Sequence, residues 1–124
     1  MTNLQANRLY TALAELSKPI TISKEGKPTE VRLSFSGKTC LAIARIKSKL
    51  TPHVTACEEA VNAVIAAHGG RVPPDHPDFA EVVKQITEIQ QSPCEVGELG
   101  ALPLAEFEAQ ETLPDLEPLL PYLQ

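Results

Sequence analysis

Apolar positions recur at threes and fours over most of the chain and at twos in one short stretch, the spacings of helices and strands respectively. The longest helical register runs from Gly37 to His68 and carries Ile43, Ile46, Leu50, Val54, Cys57, Val61, Val64 and Ile65. It predicts one long amphipathic helix, or two near-collinear ones with a kink at Leu50–Thr51. Pro52 creates the ambiguity: it removes a backbone donor, yet it suits the first turn of a new helix capped by Thr51. Thr55 with Glu58 offers a second capping box in the same stretch. Ser36 is the expected cap at the start, and Gly69-Gly70 the expected stop.

Before this helix, Thr2 with Gln5 predicts a capping box for a helix reaching about Ser17, with Leu9, Ala12, Leu13 and Leu16 on its buried stripe. Pro19 ends it. Alternation over Pro19 to Ser23 and over Glu30 to Phe35 predicts two strands, joined by a polar loop over Lys24 to Thr29. An isolated hairpin is marginal in water, so this one is expected to lie on the helices or to pair with something else. After the long helix, Arg71 to Pro77 is a stiff connector. A further helix to about Gln91, capped by Asp75 or Asp78, carries Phe79, Val82, Val83, Ile86 and Ile89. So short a connector predicts an antiparallel helical hairpin. Cys94 to Leu99 reads as a short strand.

The last 25 residues differ in kind, with four prolines, seven leucines, Phe107, Tyr122 and no basic residue. So many large apolar side chains are unusual for a disordered tail, and the segment is expected to dock, on its own chain or as an exchanged arm in a homodimer. The reading is therefore α+β and mainly α. Residues 1–99 form a core with a β-hairpin packed on a long, kinked helix and a second helix in an antiparallel hairpin. Residues 100–124 form a Pro/Leu-rich acidic arm of the same domain.

Charge sharpens this picture. Residues 1–50 hold nine Lys or Arg against three Glu, whereas residues 51–124 hold two against thirteen acidic residues. The two halves either hold each other or present opposite fields to two partners. Arg32, Lys38, Arg45, Lys47 and Lys49 make a basic face suited to phosphate backbone or an acidic partner. Single-strand binding usually adds stacking aromatics, and Phe35 alone is near in sequence. The apolar positions Leu116, Leu119, Leu120 and Tyr122 of the arm are the residues expected to meet a protein partner.

Other chemistry is thin. Ser36-Gly37-Lys38-Thr39 ends like a phosphate-binding loop, but Arg32 stands where that loop needs its first glycine, so a strand-to-helix junction is the plainer reading. His53 and Cys57 lie one helical turn apart, without the paired spacing of further ligands that a closed zinc site needs. Leu116 to Leu120 matches an LxxLL docking pattern interrupted by Pro118. No Ser-His-Asp or Cys-His arrangement suggests a nucleophile, and the reading is of a non-enzyme without metal or cofactor. No apolar run reaches the roughly 18 residues of a membrane span. The amino terminus lacks a signal-peptide pattern and the three cysteines lack close pairing, so a cytoplasmic protein with reduced cysteines is expected.

The order of parts resembles a family of small uncharacterised proteins of tailed bacteriophages. The matching pieces are Leu13 to Pro19, Val31 to Ile46, Ala67-His68-Gly69, Phe79 to Ile89, Cys94-Glu95-Val96, Leu102-Pro103-Leu104 and Leu116 to Leu120. Members of that family usually lack Pro52 and Pro73-Pro74. The resemblance carries no established activity. Together with the small size, the missing catalytic set and the apolar acidic arm, it points to a non-catalytic phage accessory protein in the host cytosol that binds another protein, such as a host protein inhibited or redirected in host takeover or anti-defence. Open alternatives are a virion assembly or structural component, a nucleic-acid binder using the basic half, and a sponge for a small signalling nucleotide at Gly37-Lys38 or His53.

Overall fold

The computed structural model describes residues 1–110 and 112–124. Its order is α1 (Asn3–Glu15), β1 (Ile20–Lys24), β2 (Lys27–Val31), α2 (Gly37–Ala67), α3 (Phe79–Gln91), α4 (Leu104–Glu108) and a 3₁₀ segment (Glu117–Tyr122). The fold is α+β and mainly helical, with one two-stranded antiparallel sheet among the described residues.

α1 begins with the capping box its sequence predicts. The Gln5 N–H donates to Thr2 Oγ1 at 3.2 Å, and the Thr2 N–H donates to Gln5 Oε1 at 2.9 Å. Its stripe of Ala6, Leu9, Ala12 and Leu13 is buried, with Leu16 just beyond. α2 is a single helix of 31 residues that passes through Pro52. Thr51 does not cap a second helix. Its hydroxyl instead donates back to the Lys47 carbonyl at 2.8 Å inside the same helix. α2 ends as expected, with His68 at the cap and Gly69 and Gly70 at φ of 98° and 84°. The Gly70 N–H reaches the Ile65 carbonyl and the Gly69 N–H the Ala66 carbonyl, a Schellman closure.

The hairpin departs from expectation in two ways. Its turn is only Glu25-Gly26, at φ of 52° and 76°, so Lys27 and Pro28 belong to β2 and pair with Lys24 and Ser23. Two consecutive left-handed residues match the right-handed twist of the strands, and no longer loop is needed. Leu33 and Phe35 then lie beyond β2, in an extended link that packs them against the core. The hairpin also does not pack on the helices: neither strand has a Cα within 8 Å of a helical Cα among the described residues. Ile20, Ile22, Thr29 and Val31 share its better-covered face but stay only half-buried.

α3 turns back along α2, and the Asn3 side chain of α1 donates to the Ile89 carbonyl near its end. Val82 is its one buried residue among those described, and Val83, expected on the apolar stripe, is 44% exposed. Asp78 stands at the cap without a side-chain cap bond; its carboxylate lies 3.1 Å from His68 Nδ1 and ties the connector shut. Cys94 to Leu99 is not a strand. The chain just before it makes an isolated bridge, Thr2 with Pro93, and Gly97 has a positive φ of 72°.

The arm docks on its own chain. Leu102, Phe107 and Leu119 are buried in the same cluster as Leu9, Leu13, Ile46 and Leu50. Its last residues run parallel to Leu102: the Leu102 N–H donates to the Tyr122 carbonyl at 2.7 Å and the Gln124 N–H to the Leu102 carbonyl at 3.0 Å.

Candidate binding surfaces

Three surfaces carry the residues singled out in the sequence. The first is an open groove of about 1030 Å³ between α1 and the arm. One wall is the outward side of α1, with Gln5, Arg8, Thr11 and Glu15 spaced by threes and fours. The other wall is Pro114, Asp115, Glu117, Pro118, Pro121 and Tyr122. Leu9 and Ala12 lie at its apolar base. The rim bears Glu15, Asp115 and Glu117 against Arg8 and the Met1 amino group, and Glu15 is itself paired with Lys18 at 2.9 Å. The prolines hold the arm open without backbone donors to satisfy. The Asp115 carboxylate accepts the Glu117 N–H at 3.0 Å and fixes the entry to the 3₁₀ segment.

The arm residues expected to meet a partner divide sharply. Leu119 is fully buried, and Leu116 and Tyr122 pack against the core, so these side chains hold the arm down rather than reach outward. Tyr122 still lines the groove, and Leu120 is 60% exposed on the same segment. Burying Leu119 follows from the 3₁₀ turn, which sends neighbouring positions to different sides. Leu116 to Leu120 is thus a core anchor, not a free LxxLL helix.

The second surface is the basic one. Lys38, Arg45 and Lys49 are exposed on α2, and Arg32 is exposed before it. Lys47 points elsewhere: its ammonium sits 5.5 Å from the ring centroid of Tyr10 on α1. The Lys49 ammonium donates to the Glu98 carbonyl. The Lys18–Glu15 ion pair and the His68–Asp78 contact each join residues of one half of the chain.

The clearest polar bond between the halves is made by Glu106 of α4, a residue the sequence did not single out. Its carboxylate accepts from the Ser36 N–H at 2.7 Å, from the Ser36 hydroxyl at 3.2 Å and from the Thr39 hydroxyl. The Thr39 hydroxyl above all, and then the Ser36 N–H, hold the Glu106 pKa below its ordinary value, against a smaller opposing effect of burial. Ser36-Gly37-Lys38-Thr39 is accordingly a strand-to-helix junction whose anion is the chain's own carboxylate. The only advance signal was two hydroxyl residues at a helix start and a carboxylate in a short apolar turn.

The third surface is a smaller groove of about 440 Å³ between Leu13, Leu16, Leu33, Phe35, Cys40, Ile43 and Lys47. Gly37, Lys38 and His53 line neither groove. Cys57 is buried, where its sulfur accepts from the Asn7 amide at 3.5 Å. Among the described residues no three His, Cys, Asp or Glu gather as metal ligands. No described helix is long and apolar enough to cross a membrane. No protein-family model, curated protein or solved structure matches the chain.

Proposed function

We propose that this chain is a non-catalytic accessory protein of the phage type that its sequence resembles, acting in the host cytosol by binding another protein. The partner presents a basic, partly apolar segment to the groove between α1 and the arm. The observation that carries this reading is the groove itself: an apolar base of Leu9 and Ala12, the Tyr122 ring, and a rim with Glu15, Asp115 and Glu117. Apolar side chains of the segment fill the base while its cations meet the rim, and such complementarity sets both orientation and association rate. The arm therefore serves binding as a wall whose shape Leu119 secures from beneath. A host protein inhibited through a basic surface, or a virion component with a basic segment, satisfies the same chemistry.

The test is capture by the tagged full-length protein from host lysate and from infected cells, beside the variant Glu15→Lys/Glu117→Lys. This pair reverses the rim charge while leaving the Asp115 turn intact. One stoichiometric partner retained by the wild type and lost by the variant supports the reading. A partner held equally by both, or none from either source, overturns it.

A further inference from the structure

The outward face of α2 goes beyond that groove. Opposite its core stripe, α2 exposes Leu41, Arg45, Ser48, Pro52, Ala56, Glu59 and Ala63 along most of its length. Leu41 is half-exposed there, turned away from Ile46 and Leu50. α1 and α3 cover other sides of α2, and this face stays open among the described residues. Its charges have an order: Lys38 and Arg45 lie before Pro52, and Glu59 lies after it.

That order is symmetric about Pro52. Arg45 and Glu59 stand at equal sequence distance on either side, as do Leu41 and Ala63, and Ser48 and Ala56. We propose that α2 pairs antiparallel with α2 of a second copy of this chain, with the two-fold axis at Pro52. In that arrangement Arg45 of each copy faces Glu59 of the other, and each Leu41 covers the other's Ala63. Ser48 and Ala56 are small enough at the crossing to let the helices approach closely. A two-fold interface repeats every contact, so a single opposite-charge match becomes two. A parallel pairing would instead set Arg45 against Arg45 and Glu59 against Glu59, so charge selects the antiparallel arrangement. This dimer differs from one made by arm exchange, because the arm stays on its own core.

Sedimentation equilibrium of the full-length chain tests it, over micromolar to hundred-micromolar concentrations and at low and high salt. The wild type is expected to reach twice the 13.4 kDa monomer mass. Arg45→Glu and Glu59→Arg alone should each weaken dimerisation about tenfold or more, and the double variant Arg45→Glu/Glu59→Arg should restore it. Far-ultraviolet circular dichroism of each single variant, expected to match the wild type, separates a lost interface from a lost fold. A wild type that stays monomeric throughout, or single variants that dimerise as the wild type does, overturns the proposal. So does a monomeric wild type that binds a DNA or RNA oligonucleotide in a salt-sensitive way lost in Arg45→Glu, which would assign this face to phosphate backbone instead.

Discussion

Thr39, 2% exposed at the start of α2, donates its hydroxyl to Glu106, 67 positions further along the chain. This bond, with the two from Ser36, places an arm carboxylate at the positive end of the longest helix. It joins the basic half to the acidic half by a route that the charge pattern alone did not specify.

Acid should loosen that joint. The Glu106 pKa is lowered in the folded chain, so its contribution to stability is complete above the unfolded glutamate value, about 4.3. It is lost as pH falls through the lower folded value. Urea midpoints measured from about pH 6 down to pH 3 should therefore fall more steeply for the wild type than for Glu106→Gln, which carries no titrating group there.

Leu119→Ala should cost about 2–5 kcal/mol, since it empties a fully buried position beneath the arm. Its neighbour Leu120 is 60% exposed, and Leu120→Ala should stay within about 0.5 kcal/mol of the wild type. Equal effects at the two positions in denaturant titrations would contradict the docking of the arm on its own core.

Pro52→Ala restores a backbone donor within α2 and should stabilise the chain, by up to about 3 kcal/mol. The gain would be read as a higher urea midpoint at constant m-value. A loss would mean that the proline ring contributes contacts that outweigh the missing bond.

Gly26→Ala should weaken the hairpin by about 1 kcal/mol, because an alanine is strained at the φ of 76° found there. The strands stand apart from the helices, so amide exchange should quicken over Ile20–Val31 while the helices stay protected. Faster exchange in α1 or α2 as well would show that hairpin and core open together.

Periodicity made the helices legible. Leu9, Leu13, Ile46 and Leu50 are core residues because a 3.6-residue repeat leaves little choice of face. Val83 escaped this logic: α3 meets its neighbours along a narrower line than its apolar stripe. The hairpin turn was hidden because Glu25 is a poor marker of a left-handed residue, and the polar run through Thr29 looks like a longer loop. Leu116, Leu119, Leu120 and Tyr122 read as partner-facing positions, and only three-dimensional packing could show that Leu116, Leu119 and Tyr122 pack on their own core while Leu120 stays exposed. Glu106 and the groove rim depend on pairs far apart in sequence, which no local pattern encodes.

A core completed by Leu119 ties three distant parts of the chain into one cooperative unit. Leu9 and Leu13 of α1, Ile46 and Leu50 of α2, and Leu102, Phe107 and Leu119 of the arm share one buried cluster, so none of the three parts can lift away without uncovering the others. Release of the arm alone would bare Leu9, Leu13 and Leu50, a state that proteases recognise.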